Sequence, residues 1–115
     1  MLEFEVVEGG TPDCAVVAVR GELDIATAPT LVAALDRATG NGSRRVVVDM
    51  LETSFVDSTG LTTLLRVHKR FEADGGDFSI VCGPDNLEVR RIIDLMGFNS
   101  VFVIHESLAA AGCEQ

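Results

Sequence analysis

The stretch from Val46 to Phe71 constrains the fold more than any other part of the chain, because its hydrophobic period changes midway. Val46-Val47-Val48-Asp49-Met50 is β-branched and continuous rather than alternating, which is how a parallel strand buried on both faces reads. From Ser58 onward, Leu61, Leu64, Leu65, His68 and Phe71 fall at i, i+3, i+4, i+7 and i+10. That spacing traces one face of a helix, which Gly75-Gly76 ends.

The same alternation runs through the rest of the chain. Phe4 to Val7 and Ala15 to Val19 read as two strands joined by a hairpin-like turn at Gly9-Gly10-Thr11-Pro12-Asp13. After Gly21-Glu22-Leu23-Asp24, the run Thr27-Ala28-Pro29 offers a hydroxyl cap and a proline in the first helical turn. Leu31, Leu35 and Ala38 continue that helix to Gly40-Asn41-Gly42. Phe78 to Val81 is a further buried strand, and Val89, Ile92, Ile93 and Met96 form a helical stripe stopped by Gly97. Val101 to Ile104 predicts a last strand, and Glu106 to Ala111 a short terminal helix.

The predicted order is β-β-α-β-α-β-α-β-α. Strands separated by helices pair in parallel through right-handed crossovers, whereas the opening pair can be antiparallel. The expectation is an α/β fold: one domain over residues 1–115, with a mixed sheet of four or five strands and about four helices. A chain of 115 residues has the usual size of one domain, long enough to fold without disulfide or metal.

Chemistry is sparse. There is no phosphate-binding P-loop, dinucleotide-binding glycine motif or G-x-S-x-G elbow. Eighteen acidic against 9 basic residues give a net charge of −9, which repels phosphate backbones and anionic lipid. Neither nucleic acid nor membrane is an expected partner. The acidic start Met1-Leu2-Glu3-Phe4-Glu5 does not resemble a signal peptide, and apolar runs of about five residues are far short of a spanning helix. The expectation is a soluble, cytoplasmic domain. His68 lies on or beside its helix's apolar stripe and reads as a packing residue, and His105 as a solvated loop residue. Cys14, Cys82 and Cys113 are odd in number and widely spaced, so they predict neither a zinc site nor a disulfide framework. Cys14 starts a strand, Cys82 ends one, and Cys113 falls in a tail expected to fray.

One segment departs from this pattern. Phe55-Val56-Asp57-Ser58-Thr59-Gly60-Leu61 joins the buried strand to the helix. The plain reading makes Asp57 or Ser58 an N-cap worth ~1 kcal/mol. Gly60, however, costs about 1 kcal/mol against Ala in the first turn and permits another surface to approach closely. Leu61 stands where a capping box would need Glu or Gln. A nucleophilic Ser58 would need a base, and no histidine is placed by sequence to supply one. A serine that accepts phosphate from a kinase needs only exposure on a rigid platform.

These residues, with the Val46 to Met50 strand before them, resemble the phosphorylation loop of the STAS domain family, and more narrowly its stand-alone bacterial anti-sigma factor antagonists. Gly21-Glu22-Leu23-Asp24 is similar to the family's first turn motif. Gly75-Gly76 and Val89-Arg90-Arg91-Ile92-Ile93 with Leu95-Met96-Gly97 resemble its C-terminal half. Leu51-Glu52-Thr53 departs from the small loop common there. The resemblance implies partner switching without catalysis by this chain. The unmodified form binds an anti-sigma factor that is a serine kinase, phosphorylation of Ser58 abolishes binding, and a serine phosphatase restores it. It also implies that Asp24, Asp57, Thr59 and Gly60 are part of the partner-binding surface. Thr59 is a competing acceptor by its position, but the family's acceptor is the residue after the Asp, which here is Ser58. No cofactor is expected, since ATP and Mg²⁺ belong to the kinase. The rival reading is a constitutive STAS interaction or scaffold module.

Overall fold

A computed structural model describes residues 4–40 and 42–113; Met1, Leu2 and Glu3 of the acidic start, Asn41 of the helix-ending turn, and residues 114–115 lie outside the described residues. The elements run β1 (Glu5–Thr11), β2 (Cys14–Leu23), α1 (Ala28–Thr39), β3 (Arg45–Asp49), β4 (Thr53–Val56), α2 (Ser58–Ala73), β5 (Asp77–Val81), α3 (Leu87–Leu95), β6 (Ile104–His105) and α4 (Leu108–Ala111). The sheet order is β1-β2-β3-β5-β6, with β4 pairing to β2 off this path. Among the described residues only β1 and β2 pair antiparallel, turning so tightly at Pro12-Asp13 that Thr11 opposes Cys14. The other pairs are parallel, as the α/β reading requires.

Order and handedness together decide where the helices lie. The crossovers through α1, α2 and α3 carry the chain the same way across the sheet, from β2 to β3 to β5 to β6. Right-handed connections made in one direction place their helices on one face. Ala15, Val17, Val19, Val46, Val48, Phe78 and Ile80 accordingly point forward into a core with Leu31, Leu35, Leu61, Leu64, Val89 and Ile93. The alternate residues Cys14, Val16, Val47 and Val81 point to the rear, where α4 covers them through Leu108, Ala111 and Cys113. The continuous Val46 to Val48 run is thus buried on both faces, against very different amounts of cover.

His68 packs as expected, 7% exposed and edge-on to Phe78 and Phe102 at 5.7 and 5.8 Å between centroids. Three expectations are corrected. The described residues contain six strands rather than four or five, because β4 is a separate strand whose buried-exposed-exposed-buried pattern does not alternate. The last strand is Ile104–His105, not Val101 to Ile104. Val101 and Phe102 instead close a turn onto the Phe98 carbonyl, with N···O distances of 3.0 and 3.1 Å. His105 is therefore a half-buried strand residue. Third, Cys14 and Cys113 form a disulfide across 99 residues, and Cys82 is free and buried. Cys113 is only 3% exposed, because the return of α4 to the sheet brings it beside the start of β2. Local spacing carries no trace of that contact.

Thr53 anchors β4. It is 2% exposed, and its hydroxyl donates to the Val19 carbonyl at 2.8 Å. Thr53→Val keeps the shape but leaves that buried carbonyl without this donor. The expected loss is about 1–2 kcal/mol, read as a lower urea midpoint with an unchanged m-value.

Candidate functional site

The site forms where β2 and β4 end side by side. Leu23 pairs with Val56, so Asp24 and Asp57, the next residue on each strand, emerge together at the C-terminal edge of the sheet. The Asp57 N–H donates to the Leu23 carbonyl at 3.1 Å, which fixes where α2 begins. Asp57, not Ser58, is the N-cap: it has extended backbone, and its carboxylate accepts from the Gly60 N–H at 2.8 Å. Ser58 is therefore the first helical residue. It is exposed, and among the described residues its N–H and that of Thr59 meet no acceptor. Those two donors face outward at the positive end of a 16-residue helix, an arrangement favourable to an anion.

Asp24 has a structural task as well. Its carboxylate accepts from the Ala26 and Thr27 N–H groups at 3.0 and 3.1 Å and from the Thr27 hydroxyl at 3.1 Å. The same hydroxyl also lies 2.9 Å from the Glu22 carbonyl, so its one proton is shared between the two acceptors, while its oxygen accepts from the Asp24 N–H at 2.9 Å. The hydroxyl cap expected at Thr27 is thus replaced, since Thr27 makes no side-chain bond to the helix. Its oxygen is engaged by the Gly21-Glu22-Leu23-Asp24 turn instead.

Gly60 is buried. A Cβ on it would lie 2.7 Å from the Leu23 carbonyl oxygen and 3.1 Å from Val56 Cγ1. The close approach that this glycine permits is made by the end of β2 in the same chain. Thr59 is half-buried, and its carbonyl accepts from the Thr63 hydroxyl at 2.9 Å.

Two grooves flank the start of α2. One, of about 370 Å³, includes Phe55, Ser58, Glu88, Arg91 and Leu95 in its lining. The other, of about 420 Å³ between α1 and α2, includes Ile25, Pro29, Thr59 and Arg66. Ile25 and Leu95 are each 72% exposed, and Phe55 44%. Sequence reasoning missed this apolar rim. Its signal was available in Glu88, Arg91 and Leu95, which share an α3 face apart from the buried Val89 and Ile93. Among the described residues no group of three or more His, Cys, Asp or Glu side chains could hold a metal ion, and no helix is long and apolar enough to cross a membrane.

The STAS domain profile matches residues 6–111, and the chain belongs to that family. It is 30% identical over 96 residues to BtrV of Bordetella bronchiseptica, a candidate anti-sigma factor antagonist, covering 84% of this chain and 81% of that one. The crystal structure of an anti-sigma factor antagonist from Mycobacterium paratuberculosis superposes with a TM-score of 0.83 at 26% identity, covering 95% of this chain and 91% of the other. The fold is shared with the unphosphorylated anti-sigma factor antagonist SpoIIAA, at a TM-score of 0.73 and 20% identity over 95% of this chain and 93% of that one. The phosphorylated form of SpoIIAA, a Bacillus cell fate determinant, gives 0.67 at 20% identity over 96% and 97%.

Substitutions separate the platform from the exposed hydroxyl. Gly60→Ala gains about 1 kcal/mol in helix propensity, but the clash with a backbone oxygen costs more, of order 1–3 kcal/mol. A net loss is expected. Asp57→Ala loses about 1 kcal/mol with its cap, whereas Ser58→Ala stays within about 0.5 kcal/mol of the parent. Urea denaturation of the three variants checks this order, and a destabilised Ser58→Ala would contradict the geometry.

Proposed function

We propose that the chain is an anti-sigma factor antagonist that works by partner switching, with Ser58 as the phosphate acceptor. In its unmodified form it binds an anti-sigma factor serine kinase and so frees the sigma factor; phosphorylation ends that binding, and a serine phosphatase restores it. The proteins act in the cytoplasm. The observation that carries this reading is the exposed Ser58 hydroxyl at the first position of α2, between two grooves rimmed by exposed apolar side chains. The family's antagonists and the known phosphorylated relative of the same fold support it.

Each residue has a distinct part. Ser58 accepts phosphate in preference to Thr59, whose half-buried position gives a kinase less room. Asp24, Asp57 and Thr59 contribute to the contact surface, and Gly60 contributes by letting α2 seat on β2. Phosphorylation adds about −1.5 to −2 charges beside Asp57. The helix N-terminus accommodates a phosphate, so the antagonist's own fold need not change. The cost falls on the complex, where a dianion would have to be desolvated against the partner. A loss of ~3 kcal/mol weakens binding more than 100-fold, enough to exchange partners.

The decisive experiment is intact and tandem mass spectrometry of the protein from its native cells, unstressed and stressed, beside a Ser58→Ala variant. One phosphate on Ser58, varying with condition and absent from the variant, is the expected result. No phosphate under any condition would reduce Ser58 to a helix residue and favour a constitutive interaction module.

A further inference from the structure

The rear of the sheet holds chemistry that the Ser58 site does not use. The sulfurs of Cys14, at the start of β2, and Cys113, just past α4, are bonded, with Cα atoms 5.8 Å apart. Both residues are 3% exposed. What shields them is slight, since α4 is one turn of four residues. A helix that short has no stability of its own. Its place depends on the Arg45 guanidinium, which donates to the Ala111 carbonyl at 2.7 Å, on Leu108 and Ala111 packed against Val16, Val47 and Val81, and on the covalent bond.

We infer that Cys14 and Cys113 form a reversible thiol–disulfide switch for low-molecular-weight thiols of the glutathione class. When oxidised it locks α4 over the rear face of the sheet, and when reduced it releases α4. Opening this one turn breaks few contacts, so a buried bond becomes reachable by local unfolding alone. A reductant thiolate attacks the Cys113 sulfur, forming a mixed disulfide and expelling Cys14 as a thiolate, which takes up a proton. A second reductant thiolate attacks the reductant's sulfur in the mixed disulfide and releases Cys113, which is protonated in turn. Two electrons and two protons pass to the protein, and the two reductant thiols leave as their own disulfide. Oxidised glutathione drives the reverse sequence.

The third cysteine does not compete. Cys82 is fully buried on the front side of the sheet. Burial pushes its thiol up, an effect that the nearby Arg90 only partly offsets, so it has little thiolate with which to exchange. The inference stands apart from the Ser58 reading, because no step involves that residue.

The test equilibrates the folded protein in glutathione mixtures from fully reduced to fully oxidised. Acid quenching, unfolding, alkylation with iodoacetamide and intact mass then count the free thiols. One alkylated thiol at the oxidised end, three at the reduced end, and the same midpoint approached from both directions is the expected result. One thiol throughout would make the bond a permanent staple, and three throughout would remove the bond; either overturns the switch. Hydrogen exchange supplies the second readout. Amides of residues 107–113 should exchange at least about tenfold faster in the reduced protein and in Cys113→Ser, and equal rates would overturn the release of α4. The melting temperature should fall by about 10 °C or more on reduction, since the bond closes a loop of nearly the whole chain. Should Cys113→Ser fail to fold, the glutathione-reduced parent gives the same exchange measurement.

Discussion

The carbonyl of Leu23 is the point on which the site depends. It accepts the Asp57 N–H at 3.1 Å and lies where a Cβ of residue 60 would sit only 2.7 Å away. β2 is long enough to take two parallel partners in succession, β3 along its first half and β4 at its end. The second pairing carries the chain from the sheet to the base of α2 and sets the first helical residue at Ser58. The exposed hydroxyl therefore stands on a paired strand, a carboxylate cap and a glycine seat rather than on a free loop.

That rigidity suits a switch whose two states share one fold. In the proposed mechanism the modified hydroxyl has no hydrogen bond to break among the described residues, so adding phosphate changes the surface without asking the core to rearrange. The acids beside it already have work within the chain: Asp57 caps α2, and Asp24 ties its turn to the Thr27 hydroxyl. Replacing either aspartate disturbs local structure, and under the proposed mechanism binding as well. Binding measurements on such variants gain meaning only beside measurements of their stability.

The helical stripes were legible in the sequence because three helices bury one face on one side of the sheet, the condition under which a 3.6-residue period shows itself. Leu31, Leu35, Leu61, Leu64, Val89 and Ile93 all lie in the core as their spacing implies. Ala38, Leu65 and Ile92 from the same stripes are half-buried against that core, and Met96 is 39% exposed where its helix ends. The glycine at position 60 announced a close approach, but not that the approaching surface was Leu23. β4 was hidden because four residues with Thr53 and Val56 buried and two exposed between them carry no alternating signal. The Cys14–Cys113 bond was hidden for a different reason, since a contact across 99 residues is a property of topology alone.

The two ends of the sheet have a consequence for how the chain behaves in company. An edge strand is a template on which a second chain can build, and proteins guard against this with charge, irregularity or brevity. β1 presents exposed Glu5 and Glu8, followed by Gly9-Gly10, and its glutamates are held by Arg20 and Arg37 at 2.9 and 2.8 Å. β6, at the other end, has two residues and offers little backbone to pair with. Neither border invites growth of the sheet into a neighbour. Charge and ion pairs at one border, and brevity at the other, leave the sheet with little free backbone on which a second copy could build.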